Sequence, residues 1–463
     1  MHVQIRYVEK PNKKREIMSS LMLFLCFAYV ASFFIHSQVL QTCLAFLAMV
    51  VFFTSLPAVK AAPRLFGTMM FVTGLFLHIG KGSGAEEMIS GSTANLPLLT
   101  LVTLVPLAAI PLKIGGYLES INFYLEKFIH DSKKMFGGIT LFVFCLGPIL
   151  NMGSIKVLHE MLQDVKLPPA LLAKAYLIGF STVMLWSPYF ASVATVLYYL
   201  NVPVFDYLPI GLSLAVIQFL IGNLLFWRWE QKHGTIVKPP AAMLQRAGDK
   251  VQHRKRMRQL FMILAILLAA LFTLEHLTRW PMITLVILIV LAFPVIWVAV
   301  NRQWTPFKQH LMEFKRHSVP MMNNEIVLMI SAGLFSKSLI GTAAADGIQV
   351  FLLDISAQSF LLFVLTVMCV FVTLTFAGIQ PLVLATILAT TMDPVLLGTS
   401  KEVLALLLMI CWSISAVLSP TNPVNIMVGN LVEKPGTVVG VKWSGIYLLT
   451  MFCIGACFLY VIH

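Results

Sequence analysis

The sequence predicts an all-α polytopic membrane protein, made of two inverted-topology repeats and one extra N-terminal helix. Of its 463 residues, 59% are hydrophobic and 11% are charged, and the mean hydropathy is +0.87, far outside the range of soluble proteins. Long apolar runs alternate with short basic segments, and two of the runs are interrupted by proline at corresponding positions. Each repeat is therefore expected to contain one re-entrant helical hairpin and one broken transmembrane helix.

The most informative stretch runs from Ser413 to Asn430 and reads SISAVLSPTNPVNIMVGN. An apolar helix leads into Pro420 and Pro423, and each proline removes a backbone N–H and clashes with the carbonyl four residues earlier. Backbone groups left unpaired at membrane depth are tolerated only beside protein or a water-filled cavity. The interruption therefore predicts a binding site.

A matching interruption lies 232 residues earlier in the chain. With this offset, three positions of one interruption match three of the other: Ser181 and Ser413, Ser187 and Ser419, Pro188 and Pro420. A single break of this kind is usually an ordinary proline kink. Two interruptions in register favour the binding site of a transporter, because such pairs are typical of inverted-repeat carriers.

The net charge of +13 comes from basic residues in short segments between apolar runs. This pattern follows the positive-inside rule and indicates membrane topology rather than a nucleic-acid partner. Residues 1 to 16 carry five Lys or Arg residues, which predicts a cytoplasmic N-terminus, and the topology then places the C-terminus outside the cytoplasm. The seven cysteines all lie in apolar runs without a CxxC motif, so neither a disulfide nor a metal site is expected.

These signals divide the chain into four segments. They are an N-terminal tail with the first transmembrane helix (1–36), repeat 1 (37–229), a basic cytoplasmic linker (230–258) and repeat 2 (259–463). The predicted hairpins cover about 136–164 and 358–397, and the predicted broken helices cover about 170–200 and 403–431. A single spanning helix is the alternative for 136–164, but it would leave the basic linker on the wrong side of the membrane. Residues 81–95 are expected to form an outer loop, and residues 115–134 an amphipathic surface helix.

In its hairpin tips and broken helices, the chain resembles the ion-transporter superfamily, which includes divalent anion:sodium symporters, dicarboxylate carriers and arsenite permeases. SPTNPVNIMVGN, Ser419 to Asn430, is similar to the proline-asparagine segment of the family's second broken helix. The resemblance implies that substrate binds between the two hairpin tips and that the protein forms a homodimer. Sodium-coupled dicarboxylate members carry a Ser-Asn-Thr triplet at each tip, whereas this chain has Asn151 to Ser154 and Thr375 to Gln380. The resemblance therefore leaves the anion and the coupling ion open.

The polar residues at the two hairpin tips and the two broken helices predict an anion site. The N-termini of half-helices favour anions, and neutral hydroxyl and amide groups can orient a carboxylate or phosphate that must later be released. Lys156 and Lys337 could add positive charge; the alternatives are a lysine reaching the surface for Lys156 and a pair with Asp346 or Glu325 for Lys337. The candidate substrate-binding residues are Asn151, Gly153, Ser154, Lys156, Ser187, Lys337, Thr375, Gln380, Ser419, Thr421, Asn422 and Asn425.

Unwound carbonyls at the interruptions predict a site for a coupling ion as well. Its candidate residues are Ser181, Ser187, Ser413 and Ser419. Na⁺ and H⁺ are the candidate coupling ions, with Asp393 and Glu325 as candidate proton carriers. No organic cofactor and no structural or catalytic metal is expected.

The sequence as a whole predicts a secondary active transporter of an anionic solute in the cell membrane, working by an elevator-like or rocking movement. Its partners would be a small anion and the lipid bilayer. An enzyme is disfavoured, because His159-Glu160 lacks the second histidine of an HExxH motif and no P-loop or GxSxG motif is present. The alternatives are a carrier of a lipid-linked phosphate, a membrane-embedded enzyme acting on lipid, and a structural subunit, which would not need broken helices.

Overall fold

A computed structural model describes residues 13–82, 84–128, 131–165, 167–233 and 250–463, and these residues are mainly helical. The first part of the chain forms α1 (Lys13–Phe34), α2 (Gln38–Ser55), α3 (Ala61–Gly80), α4 (Ala85–Thr93), α5 (Leu96–Leu104), α6 (Ile110–Ile114) and α7 (Tyr117–Glu126). The next part forms α8 (Ser132–Leu150), α9 (Gly153–Leu162), α10 (Pro169–Val183), α11 (Ala191–Leu200) and α12 (Val204–His233).

The second half repeats much of this order. It begins with α13 (Lys250–Thr278), α14 (Met282–Asn301), α15 (Trp304–Glu313), α16 (Asn323–Leu339) and α17 (Ala343–Gln358). It continues with α18 (Phe360–Phe376), α19 (Pro381–Thr391), α20 (Lys401–Leu418), α21 (Pro423–Leu431) and α22 (Gly445–Ile462). Both halves thus contain two helices joined by a tight turn, then an interrupted helix, then a long helix.

Among the described residues, nine helices are long and apolar enough to cross a membrane. They are Arg15–Phe34, Gln38–Ala58, Glu86–Ile114, Ser132–Leu150, Val204–Lys232, Lys250–Thr278, Met282–Asn301, Lys401–Leu431 and Gly445–Ile462. The prediction of an all-α polytopic membrane fold with hairpin and interrupted helices is therefore confirmed.

The outer loop predicted over residues 81–95 is wrong, because α4 occupies most of it. A continuous apolar stretch of 29 residues runs from Glu86 to Ile114 and includes α4, α5 and α6. Glu86 and Glu87 lie in the first turn of α4, where the partial positive charge of the helix N-terminus favours carboxylates. The acidic and glycine-rich composition that suggested a loop therefore belongs to the start of a helix.

The chain forms two compact units: residues 1–103 with 298–338, and residues 104–297 with 339–463. We call them unit 1 and unit 2. Regular structure extends into both ends of the predicted linker, because α12 ends at His233 and α13 begins at Lys250. The rest of that linker, residues 234–249, lies outside the described residues, and the repeat boundaries remain a prediction.

Unit 1 contains α1 to α4, most of α5, and the α15–α16 region. The buried amide of Asn95 donates to the carbonyl of Met329 at 2.9 Å. The ammonium of Lys81 donates to the carbonyl of Ser338 at 2.5 Å. These two bonds connect residues more than 230 positions apart, so they hold the N-terminal helices of unit 1 against α16.

Unit 2 contains both hairpins and both interrupted helices, and α20 is its most deeply buried helix. Every residue from Val403 to Val417 is buried. α8 and α10 approach closely, since a Cβ at Gly179 would lie 2.7 Å from Cβ of Val143. The predicted amphipathic helix is α7, which is shorter than expected and is bound to the start of α13 by an Arg256–Glu119 ion pair at 3.1 Å.

Candidate functional site

The two interrupted helices of unit 2 touch at their corresponding serines. The hydroxyl of Ser413 on α20 donates to the carbonyl of Ser181 on α10 at 3.0 Å, across 232 residues of chain. Both side chains are buried. The two serines that are 232 positions apart in the sequence are thus in direct contact in the fold.

The first interruption, which we call break 1, covers residues 184–190 between α10 and α11. All of its residues are buried. The Tyr207 hydroxyl on α12 donates to the carbonyl of Leu185 at 2.6 Å, and the Ser192 hydroxyl donates to the carbonyl of Met184 at 3.3 Å. Among the described residues, the buried hydroxyl of Ser187 has no hydrogen-bond partner. Side chains from outside break 1 therefore satisfy two of its carbonyls, while its own serine is left unpaired.

The second interruption, break 2, covers residues 419–422 between α20 and α21. The Ser419 hydroxyl donates to the carbonyl of Thr375 at 2.8 Å and lies 2.9 Å from the hydroxyl of Thr421. The Asn422 side chain caps α21 by accepting from the Val424 N–H at 3.0 Å. Thr421 is exposed, whereas Ser419 and Asn422 are buried. Break 2 thus combines a bonded polar cluster with one accessible hydroxyl.

Asn425 stabilises the end of α20. Its Nδ2 donates to the carbonyl of Val417 at 2.6 Å, a group that lies within the last turn of the helix. Its Oδ1 is buried without a partner. Gly440 lies directly against this contact, because a Cβ there would be 2.5 Å from both Asn425 Nδ2 and the Val417 carbonyl oxygen.

The tip of the first hairpin, tip 1, is the turn at residues 151–152 between α8 and α9. Asn151 has φ +50° and ψ −134°, a conformation that is unfavourable for a residue with a Cβ. Its Oδ1 accepts from the Met152 N–H at 2.7 Å, and its carbonyl accepts from the Ser154 hydroxyl at 2.6 Å. A Cβ added at Gly153 would meet nothing within 4 Å, so there is open space beside the tip.

The tip of the second hairpin, tip 2, is the turn at residues 377–380 between α18 and α19. Gly378 adopts φ +109°, which glycine reaches without steric cost. Thr375, at the end of α18, donates from its hydroxyl to Ser415 Oγ at 2.7 Å and receives the Ser419 bond on its carbonyl. Gln380 is half-buried at the start of α19 and does not cap it. Tip 2 is therefore bonded to α20 and break 2.

Two residues that sequence analysis missed complete the contact between the interrupted helices. Gln218 on α12 lies with its Nε2 2.6 Å from the hydroxyl of Tyr447 on α22 and 3.4 Å from Ser181 Oγ. The Tyr447 hydroxyl is 2.8 Å from Ser181 Oγ. All three side chains are buried, and Gln218 Oε1 has no partner. Gln218 could have been found from the sequence, because an amide in the middle of a long apolar helix usually faces the protein interior.

The other predicted residues are distributed more widely. Lys156 is exposed on α9, and Lys337 is exposed near the end of α16 in unit 1. In the described part of the chain, Lys337 makes no ion pair within 4 Å, so the alternative pair with Asp346 or Glu325 is not formed. The Asp393 carboxylate accepts from the Val395 and Leu396 N–H groups of a turn.

Two further sets of side chains are relevant to metal binding and hydrolysis. Across the described ranges, no group of three or more His, Cys, Asp or Glu side chains could hold a metal ion. His159 lies with Nδ1 3.3 Å from the Tyr176 hydroxyl, and its neighbour Glu160 is exposed. Their separate surroundings give no support to a shared catalytic role.

Comparisons with known proteins agree with this architecture. No family model and no curated protein matches the chain. The fold is similar to that of the Alcanivorax borkumensis YdaH transporter, whose crystal structure is described as having an unusual topology. The TM-score is 0.58 at 16% sequence identity, over 87% of this chain and 98% of that chain. At this identity the similarity shows the fold alone.

Proposed function

We propose that the protein is a secondary active transporter that moves a small anionic solute by alternating access. The observation that carries this proposal is the bond between Ser413 and Ser181, which joins two interrupted helices at matching positions of the two halves. Interrupted helices that meet inside one bundle are the usual way in which carriers build a substrate site near mid-membrane. The fold shared with a transporter supports the same conclusion.

The chemistry of break 2 supports an anion as the substrate. The exposed Thr421 hydroxyl and the half-buried Gln380 amide offer donors without a fixed charge. The N-terminus of α21, whose Val424 N–H is already bonded to Asn422, adds partial positive charge beside Thr421. A carboxylate or phosphate can accept several such bonds and still be released, because no buried ion pair has to be broken. Asn151, Gly153 and Ser154 at tip 1 are proposed to complete the site when the hairpin moves.

The remaining parts of the proposal concern the coupling ion, the family, the oligomeric state and the membrane orientation. Ser187 is the strongest candidate for the coupling ion, because its buried hydroxyl finds no partner in the described part of the chain, whereas Ser181, Ser413 and Ser419 all make hydrogen bonds. Na⁺ and H⁺ remain the candidate ions. We further propose membership of the ion-transporter superfamily, a homodimer in the cell membrane and a cytoplasmic N-terminus, as the resemblance and the charge distribution imply.

Uptake by reconstituted protein tests the proposal. Purified protein in liposomes would be given labelled carboxylates and phosphate under an inward Na⁺ gradient, an inward H⁺ gradient, or neither. We expect saturable uptake of at least one anion, dependent on one gradient. Thr421→Val should raise the KM about tenfold, since it removes an accessible hydrogen-bonding group. Ser213→Ala is the matched control, because that hydroxyl bonds only to the Pro209 carbonyl of its own helix.

Two outcomes would contradict the proposal. Absence of gradient-dependent uptake of every anion, by protein that remains folded and monodisperse, would remove the transport function. Equal effects of Thr421→Val and Ser213→Ala on the KM would leave transport intact but exclude break 2 as the substrate site.

A further inference from the structure

A groove on unit 1 lies along the first turns of α1, away from the hairpins and breaks. Its volume is about 530 Å³, and it is lined by Glu16, Ile17, Ser20, Leu21, Phe24 and Lys315. One end of the lining is charged or polar and the other is apolar. This change along a single groove is the pattern that an amphipathic ligand requires.

The polar end is formed by an unusual helical segment. Phe314–Ser318 is a π-helical turn, and it places Lys315, Arg316 and His317 in succession beside the start of α1. Such turns are rare and often occur at functional positions. Arg316 Nε lies 3.4 Å from Glu16 Oε1, so this charge is paired. Lys315 is half-buried and, within the described part of the chain, has no ion pair within 4 Å, which leaves one positive charge available.

The apolar end continues along the exposed face of α1. Ile17 is 54% exposed and Phe24 is 64% exposed, although both are large hydrophobic side chains. From Glu16 to Phe24 the helix rises about 12 Å. The polar layer on each side of a bilayer is roughly 6 Å thick, so a spanning α1 would place Glu16 and Lys315 among headgroups and Phe24 in hydrocarbon.

We propose that this groove binds one anionic phospholipid of the surrounding bilayer. The phosphodiester accepts from the Lys315 ammonium, while Arg316 remains bonded to Glu16. The acyl chain lies along Ile17, Leu21 and Phe24. Within the described part of the chain, the one unpaired cation of the lining matches the single negative charge of a phosphodiester. The rise of about 12 Å from Glu16 to Phe24 covers the distance from the headgroup to the upper acyl chain. The site is separate from the proposed transport site and does not depend on it.

Lipid titration of the purified full-length protein in a neutral detergent tests this site. Thermal unfolding and native mass spectrometry would be followed as phosphatidylglycerol or phosphatidylcholine is added. We expect tighter binding of phosphatidylglycerol and about fivefold weaker binding to Lys315→Gln, the change that corresponds to loss of one basic group near a membrane surface. Lys308→Gln is the matched control, because Lys308 is exposed on α15 and does not line the groove.

A second variant tests the apolar end. Phe24→Ala should weaken binding of phosphatidylglycerol with long acyl chains more than binding of the form with six-carbon chains.

Equal weakening by Lys308→Gln and Lys315→Gln would mean that only the general positive charge attracts lipid, and would overturn the proposal. Equal protection by glycerol phosphate without acyl chains would also overturn it, in favour of a free-phosphate site. Lys315→Arg should keep the binding, and an unchanged unfolding temperature of lipid-free Lys315→Gln would show that this variant folds.

Discussion

Break 1 and break 2 contain the same Ser-Pro pair after an apolar helix, yet their polar groups are paired differently. Break 1 extends over seven residues, all buried, and its carbonyls accept from Tyr207 and Ser192. Break 2 extends over four residues, and Ser419 and Asn422 within it make hydrogen bonds to their surroundings. A proline interruption therefore frees backbone groups in both halves, but other parts of the chain decide whether the result is closed or accessible.

The two hairpin tips also differ in their hydrogen bonds. Tip 2 is bonded to α20 and break 2 through Thr375, whereas the bonds of Asn151 and Ser154 at tip 1 stay within the tip. Among the described residues, the side chains at tip 2 thus reach a neighbouring helix, whereas the side-chain bonds of Asn151 and Ser154 stay within tip 1. In a carrier that works by alternating access, this is the expected asymmetry of a state open to one side only. The following variants test this difference.

The largest effect is expected from a methyl group at Gly440, which packs against the last turn of α20, directly before break 2. A Cβ there would lie 2.5 Å from the Val417 carbonyl oxygen, and this backbone atom cannot move aside easily. Gly440→Ala should reduce the free energy of unfolding by about 3 kcal/mol, in the upper range for overpacking. Gly211→Ala, whose Cβ would lie 2.8 Å from the Leu185 carbonyl oxygen of break 1, should cost less.

Thermal unfolding in detergent would measure both variants. Gly445→Ala provides the control, because a Cβ at Gly445 meets nothing within 4 Å and alanine favours the helix. If Gly211→Ala destabilised more than Gly440→Ala, the distance from the added Cβ to the carbonyl oxygen would not determine the cost, contrary to this prediction.

Ser419→Ala should have the next largest effect. It leaves the buried carbonyl of Thr375 without its side-chain donor and should cost about 2 kcal/mol. Ser187→Ala should be neutral or slightly stabilising in ion-free buffer, because the Ser187 hydroxyl is buried without a partner. Denaturation of the two variants side by side would check this, and equal destabilisation would show that the two serines have the same role.

The positions of the breaks could be predicted because they depend on local chemistry. Proline at positions 188 and 420 disfavours a continuous helix, and the observed helices end at Val183 and Leu418. Asn151 and Gly378 lie in the turns of the two hairpins, and both residue types favour tight turns. The roles of Ser187 and Ser419 could not be separated, because their partners lie in distant parts of the chain.

Other residues escaped prediction for physical reasons of the same kind. Gln218 and Tyr447 are 229 residues apart, and no local pattern indicates that they meet at Ser181. Glycine, serine and two glutamates in residues 81–95 suggested a loop, although a helix N-terminus also accepts this composition. Sequence patterns therefore indicate where the interruptions and tips lie, but not which distant side chains bond to each break.

The buried contact at Ser181 should contribute less to the free energy of unfolding than the Ser419 bond does. Tyr447→Phe removes the hydroxyl that lies 2.6 Å from Gln218 Nε2 and 2.8 Å from Ser181 Oγ. We expect a loss of about 1.5 kcal/mol, because both partners are then left less well paired in a buried environment. Tyr460→Phe on the exposed face of the same helix is the control and should change little. An equal loss in both variants would show that the buried hydroxyl has no special role.

A double-mutant cycle with Gln218→Leu would then measure the coupling directly. Coupling energy above about 0.5 kcal/mol between Gln218 and Tyr447 is expected for side chains in direct contact. Additive effects would mean that α12 and α22 are held together by packing alone, and that the two interrupted helices share no polar contact with them.

The smallest effect concerns the bases of the two hairpins, which are capped by different chemistry. Asp131 caps α8 by accepting from the Lys134 and Lys133 N–H groups at 3.1 and 3.0 Å, and Ser359 caps α18 by accepting from the Leu362 N–H at 3.5 Å. The Lys134 N–H, together with the Lys134 ammonium and the Lys133 N–H, lowers the pKa of Asp131 below its usual value. Asp131→Ala should cost about 1 kcal/mol at neutral pH.

Because the pKa of Asp131 is lower in the folded state, its contribution is present above the unfolded pKa of about 3.9 and is lost as the pH falls through the folded value. The difference between wild type and Asp131→Ala should therefore shrink on acidification, whereas that of Ser359→Ala should not depend on pH. Asp131→Asn keeps a side-chain cap without a titrating group, and it should lose little stability and show no such pH dependence. Unfolding curves of the three variants and the wild type between pH 3 and pH 7 would measure this pH dependence. A constant cost of Asp131→Ala over that range would mean that the charge of Asp131 does not stabilise the first hairpin.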